Sequence, residues 1–283
     1  MTQLGPNKAT GVAWWYLRVS GLLVITLVLW HLFVMHYANA PSETTATFVS
    51  ARWMGTFWRA FDWALLFLAL THGLVGMRNV IADVVQSAAG RRAGEGVLGI
   101  LAALFLAIGT SSIVRAAGGI SGNGPLSGAT WLVGTLDALL AAIAVVAYLT
   151  ILAIVLAIVL RLAYKLPLGW WQFHGQWAWA LHRATGVGIF LFLLVHVLDL
   201  ALLPLAPNLY DATVASYANP FLMPMEVALV CAVIYHALNG TRLWILEFFD
   251  ERTTTAAVAT FAGVLVATVA LVVPSIVVLV HHG

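Results

Sequence analysis

Arg18-Val19-Ser20-Gly21, followed by an apolar run ending in His31-Leu32, returns later as Arg183-Ala184-Thr185-Gly186 with its own run to His196-Val197. From Arg to His is thirteen residues in both copies. A second pair follows: His72-Gly73-Leu74-Val75-Gly76-Met77-Arg78 and His236-Ala237-Leu238-Asn239-Gly240-Thr241-Arg242, both of the form HxxxGxR. An acid stands five residues after each second Arg, at Asp83 and Glu247. The chain is a doubled unit with four histidines inside apolar segments, and any reading of its function has to account for those four.

Of the 283 residues, 62% are hydrophobic and only 8% charged. So few charges exclude a water-soluble domain and make this a polytopic membrane protein. The net charge of +2 is too small to suggest a nucleic-acid partner. Lys8 and Lys165 are the only lysines among thirteen basic residues, and a preference for Arg favours fixed pairing with carboxylates. The single cysteine, Cys231, excludes an internal disulfide and a thiolate cluster within the chain. Lys8, an apolar core and Ala38-Asn39-Ala40 imitate a signal peptide, but Pro41 disfavours cleavage there; the expectation is an uncleaved first helix.

A span needs about 20 apolar residues. Seven candidates emerge, at roughly 14–37, 57–84, 95–116, 130–162, 183–204, 222–247 and 255–280. The expected fold is therefore all-α, a transmembrane helical bundle. Residues 38–56 and 205–220 read as polar loops. With the N-terminus inside, Lys8, Arg18, Arg78, Arg91, Arg92, Arg161, Lys165, Arg183, Arg242 and Arg252 fall on the cytoplasmic side, and only Arg52, Arg59 and Arg115 outside. That asymmetry obeys the positive-inside rule. Spans one and five then both enter from the cytoplasm, so the halves are parallel repeats rather than the inverted repeats of many transporters. A three-span unit that starts inside ends outside, and 130–162 supplies the extra crossing that lets the second copy start inside again. The expected division is 1–118, a connector 119–166, and 167–283.

Ionisable groups inside a membrane are costly and mark function. His31 lies about 19 Å deeper than Arg18, whereas His72 stands only about 9 Å from the level of Arg78. The same offsets hold for His196 and His236. If the arginines mark a common plane, the histidines form two layers about 10 Å apart: His72 with His236 nearer the cytoplasm, His31 with His196 nearer the outside. Two layers of paired imidazoles in a helical bundle suit two bis-His b-type haems. Gly76 and Gly240, four residues from their histidines, leave room on the same helical face for a flat macrocycle. Ser20 and Thr185 lie three turns below His31 and His196. Arg18, Arg78, Arg183 and Arg242 stand at a depth suited to haem propionates, and His182 beside Arg183 is a candidate for a propionate or quinone contact. His36 points about 140° away from the His31 face. Residues 164–182, with Trp170, Trp171, His174, Trp177, Trp179 and His182, make an aromatic approach to span five.

These residues resemble the membrane-anchor subunits of succinate:quinone oxidoreductase, complex II. Leu181-His182-Arg183-Ala184-Thr185-Gly186 through His196, with Tyr235 to Arg242, looks like the larger cytochrome b anchor. Leu17 to Met35, with His72 to Asp83, looks like the smaller hydrophobic anchor. The resemblance covers roughly 12–117 and 170–283. It implies inner haem ligands at His72 and His236 and, as in di-haem members, outer ligands at His31 and His196. It implies a cytoplasmic quinone site using Arg183 and Asp83, with Ser20, Thr185 and Trp179 at the same end. The implied partners are a flavoprotein subunit with FAD and an iron–sulfur subunit, which carry out succinate oxidation, in a bacterial or archaeal cytoplasmic membrane with lipid and a higher oligomer as further contacts.

Ubiquinone-reducing members have Ser and Tyr where this chain has Trp179 and Val84. Two haems often accompany menaquinone in the family, so menaquinone is the expected quinone. The family's anchors are usually two chains or one shorter chain; here two are fused through an added span. A cytochrome b serving fumarate reductase or another quinone-linked dehydrogenase is the nearest alternative. A haem-free proton-coupled transporter using the intramembrane His, Asp83 and Glu247 is an alternative of another class.

Overall fold

A computed structural model describes residues 8–39, 43–120, 124–126, isolated positions between 131 and 142, 174–216, 223–248 and 254–282. The described residues are helical, with no strand among them. Helix α1 spans Lys8–Leu32 and runs into a π-helical turn, Phe33–Tyr37. Then come α2 (Ala46–Met54), α3 (Thr56–Val84), α4 (Ala88–Ala116), α5 (His174–Leu205), α6 (Pro207–Ser216), α7 (Met223–Phe248) and α8 (Thr254–His282).

Six of these contain a segment long and apolar enough to cross a membrane: Gly11–Tyr37, Thr56–Val84, Ala88–Ala116, Trp177–Leu205, Pro224–Glu247 and Thr255–Val278. The segments have 24 to 29 residues, or about 36–44 Å of helix against a hydrocarbon core of about 30 Å. They match six of the seven spans expected; the seventh, at 130–162, lies outside the described residues apart from isolated positions. Exposed Val12, Phe57, Ile100, Val114 and Val266 face outward, as lipid-facing residues do.

Two differences follow from capping and amphipathicity. Stretches 38–56 and 205–220 contain short helices, α2 and α6, where the sequence suggested only loops. Thr45 accepts a hydrogen bond from the Phe48 N–H at 3.3 Å and starts α2, which buries Ala46, Val49 and Trp53. Pro207 occupies the first position of α6, where its missing N–H costs nothing, and Leu209, Tyr210 and Val214 are buried. Helix α4 begins at Ala88 rather than near 95, because Ser87 caps the Gly90 N–H at 3.1 Å. Arg91 and Arg92 thus ride on the helix end. The aromatic approach to span five is helical from His174.

Helix α1 packs on α3, α3 on α4, α4 on α5, α5 on α7 and α7 on α8, while α3 also meets α5 and α1 meets α7. The repeat units are thus α1, α3, α4 and α5, α7, α8, with the histidine-bearing helices α1, α3, α5 and α7 in the middle. The main core lies at the end capped by α2 and α6: Trp53, Leu66, Leu70, Phe105, Ile113, Val197, Leu203 and Tyr210 are all buried there. Gly73 sets the approach of α3 to α5, since a Cβ on it would strike the Phe190 ring.

Candidate functional site

At the level of Arg18 the two repeats exchange partners. The Arg18 guanidinium of α1 donates to Glu247 of α7, its Nε at 2.7 Å from Oε2. The Arg183 Nε of α5 donates to Asp83 Oδ2 of α3 at 2.6 Å. Each Arg therefore takes the acid of the other repeat. Each also lies over the ring of the Trp four residues earlier: Trp14 under Arg18 and Trp179 under Arg183, both at 4.1 Å. Arg78 and Arg242 turn the other way, toward the third helix of their own unit. Arg78 pairs with Glu95 at 2.8 Å; buried Arg242 donates to Thr260 Oγ1 at 3.1 Å and to the Ala257 carbonyl at 2.9 Å.

Just inside this level stand His72 and His236. The Ser20 hydroxyl lies 2.6 Å from the Tyr16 carbonyl, to which it can donate, and 2.9 Å from His72 Nδ1. His236 Nδ1 lies 3.0 Å from the His182 carbonyl, which can only accept, and 3.2 Å from Thr185 Oγ1, whose proton goes to the Leu181 carbonyl at 2.7 Å. The His182 carbonyl places the His236 proton on Nδ1 and leaves the lone pair on Nε2, while His72 Nδ1 is held by the Ser20 hydroxyl. That is the form in which a histidine ligates a metal through Nε2 while its other nitrogen is held. Ser20 and Thr185, three turns below His31 and His196 on their own helices, thus find their partners in the inner histidines of neighbouring helices.

The glycines beside these hydroxyls make room for the rings. A Cβ on Gly21 would lie 3.3 Å from His72 Cε1, and one on Gly186 2.9 Å from His236 Cε1. Sequence reasoning assigned these two glycines no role, although each follows its Ser or Thr directly. Gly76 faces open space, whereas a Cβ on Gly240 would meet the His182 ring at 3.5 Å. His182 stacks on His236 with centroids 3.9 Å apart and 8° between planes. Its counterpart in the first repeat is Leu17, so the two sides are alike in their ligand geometry and unlike in their surroundings.

At the other level, His31 and His196 face one another with centroids 6.1 Å apart and planes at 79°. That separation leaves room for a metal atom at about 2 Å from a nitrogen of each. His31 Nδ1 is 3.6 Å from Asp62 Oδ1, and His36 Nδ1 is 2.8 Å from Glu226 Oε1. Asp62 precedes His72 by ten residues, as Glu226 precedes His236. This matched pair of acids was legible in the spacing but lies where spans were expected to begin. Asp62 Oδ2 accepts from Trp53 Nε1 at 2.7 Å, and Arg52 Nη2 approaches the same oxygen at 3.7 Å. Burial lowers the Arg52 pKa from its ordinary value, and the Asp62 charge partly restores it. The π-turn, in which the Ala38 N–H reaches the Phe33 carbonyl at 2.8 Å, adds a residue to the helix just beyond His31, at the turn that carries His36.

Among the described residues no three His, Cys, Asp or Glu side chains are grouped to hold a bare metal ion. His31 faces His196, and His72 and His236 stand at matched places in the two repeats, an arrangement of imidazoles that a bis-His haem would require. Glycines that accommodate the ligand rings, and nitrogens held on the far side, fit that group.

A profile of the succinate dehydrogenase/fumarate reductase transmembrane subunit family matches residues 2–108 and 161–273. Over 77 residues the chain is 48% identical to the succinate dehydrogenase 2 membrane subunit SdhC of Mycobacterium tuberculosis, a stretch covering 27% of this chain and 57% of that protein. Over 80 residues it is 29% identical to the succinate dehydrogenase hydrophobic membrane anchor subunit of Halobacterium salinarum, covering 28% of this chain and 62% of that protein. The matched regions thus span less than two thirds of each relative's length. No solved structure matches.

Proposed function

The chain belongs to the succinate dehydrogenase/fumarate reductase transmembrane subunit family, and from that premise we propose that it is a di-haem cytochrome b anchor carrying electrons from an iron–sulfur subunit to membrane quinone. The observation that carries this reading is that His72 and His236, at matched places in the two repeats, are each held through Nδ1 by a neighbouring helix. His72 and His236 would hold the inner haem and His31 with His196 the outer. The haem iron, when bound, supplies reversible one-electron chemistry.

The chain's own residues do the rest. Ser20, Thr185 and the His182 carbonyl hold the inner ligands in register. Arg183, Asp83 and Trp179 form the candidate quinone end, where the guanidinium offers N–H donors to a carbonyl oxygen and the indole a flat apolar face; Ser20 and Thr185 lie just inward. Arg18 with Glu247 occupies the matching position in the first repeat. Arg18 and Arg183 spend donors on carboxylates and Arg78 and Arg242 point away, so among the arginines of this end a propionate would be shared with an existing ion pair. His182 keeps a buried Nδ1 without a partner and remains the other candidate there.

The dehydrogenase chemistry would belong to a flavoprotein and an iron–sulfur subunit docked at the Arg18–Arg183 end, on the cytoplasmic side by the distribution of Arg and Lys. Menaquinone is the quinone proposed. The division into 1–118, a connector 119–166 and 167–283 is part of the same reading. A fumarate reductase anchor has the same parts, since the anchor does not touch the dicarboxylate.

A reduced-minus-oxidised spectrum of the purified protein with haem counting tests this: two b-type haems per chain are expected. His236→Ala should remove the inner component alone and His31→Ala the outer alone. A chain without a b-type spectrum sinks the reading, and joint loss of both components in either variant sinks the two-level pairing. Co-purification with flavin and iron separates a complex II anchor from other cytochromes b.

A further inference from the structure

Arg52 stands on α2, on the side of the bundle where the chain places few cations. Its side chain is only 11% exposed, and Nε and Nη2 are buried without a hydrogen-bond partner. Asp62, the nearest acid, lies beyond hydrogen-bond reach at 3.7 Å and gives that same oxygen to Trp53 Nε1 at 2.7 Å. The one N–H of Arg52 that is spent, on Nη1, goes to Met35 Sδ at 2.9 Å, a weak acceptor. The guanidinium is nevertheless held in place. It lies over the Trp58 ring, 4.2 Å from the centroid, with the Phe48 ring at 6.0 Å.

Its surroundings identify what it waits for. Met35 is four residues beyond His31, and Asp62 touches both Arg52 and His31, so the guanidinium borders the His31–His196 pair. Every other arginine beside a histidine level donates to oxygen: Arg18 and Arg183 to carboxylates, Arg78 to Glu95, and Arg242 to Thr260 and the Ala257 carbonyl. Buried donors are normally matched, and a planar guanidinium with two adjacent free N–H groups matches a carboxylate. We propose that Arg52 anchors a propionate carboxylate of the macrocycle held by His31 and His196, with Trp58 and Met35 fixing its orientation. This rests on the two-haem reading above and adds to it a residue on α2, outside the spans and outside both repeat motifs.

The test uses the complete chain in membranes, with optical redox titration of both components in the native protein, Arg52→Gln and Arg52→Lys, and Arg115→Gln as an exposed control. In Arg52→Gln the outer component should be lost by half or more, or titrate at lower potential, because removing a cation disfavours the more negative reduced state. The inner component should titrate as in the native protein. Arg52→Lys, which keeps the charge and loses the fork, should fall between. If Arg52→Gln does not accumulate, Arg52→Lys decides by the same comparison. Unchanged outer titration, or equal shifts in both components, overturns the proposal while leaving two haems in place. A native protein with one component overturns the two-haem reading itself, and this anchor with it.

Discussion

Ser20 and Thr185 each hydrogen-bond a carbonyl one turn back and meet a neighbouring imidazole at Nδ1. Ser20→Ala removes the hydroxyl that holds His72 Nδ1 at 2.9 Å. A buried polar atom so stranded costs about 1–3 kcal/mol, and losing such a support lowers metal affinity about 10–100-fold. Haem retention through repeated detergent washes should fall accordingly. Thr185→Val should do less, because the His182 carbonyl still holds His236. The glycines give an ordered pair of outcomes: Gly186→Ala, whose Cβ would press the His236 ring at 2.9 Å, should lower inner-haem content more than Gly21→Ala at 3.3 Å. The four histidines were legible because their spacing repeats within the chain. The partners of Ser20 and Thr185 were not, because periodicity along one helix says which residues share a face but not which neighbour that face meets.

Among elements, the exchange of acids between α1 and α7 and between α3 and α5 is what ties the repeats together at the Arg18 end. Both pairs are partly exposed, with side-chain exposures of 19% and 32% for Arg18 and Glu247 and 29% and 37% for Arg183 and Asp83. Each is therefore worth only about 1 kcal/mol or less. Asp83→Asn should lower the thermal midpoint in detergent slightly, and the exchanged double variant Asp83→Arg with Arg183→Asp should recover part of the loss; absence of recovery would mean that the pair does not hold the helices. The acids were found at equal distances from their histidines, but crossing could not be read, since both pairings within and between repeats satisfy the same sequence. Helices α2 and α6 escaped for a related reason: each is about ten residues long, too short for a span, and its cap and buried face carry the signal rather than its hydropathy.

For the molecule as a whole, the long apolar runs made an all-helical membrane bundle readable from composition alone, and doubling supplied the internal symmetry. What composition could not supply is the inequality of the halves, in which α4 lies along α5 while α8 meets the π-turn that follows α1. If the connector serves only to return the chain, residues 1–118 and 167–283 expressed together as separate chains should assemble and bind haem. Co-purification through a tag on one half measures this, and failure to recover the untagged half would assign 119–166 a structural part. Reporter fusions at the two ends should place the N-terminus inside and the C-terminus outside.

The crossed ion pairs have a consequence for how such a molecule can be built. Two identical copies of the first half could satisfy one another in the same way, Arg18 of each reaching Asp83 of the other, so the arrangement is that of a two-fold dimer written on one chain. Joining the copies replaces association by an intramolecular encounter and fixes their ratio at one to one. It also frees them from being identical. A true dimer must place the same side chain at both related positions, whereas this chain sets His182 against His236 in one repeat and has Leu17 at the equivalent position of the other. Two nearly equivalent faces can then diverge without disturbing the symmetric frame that holds the histidines.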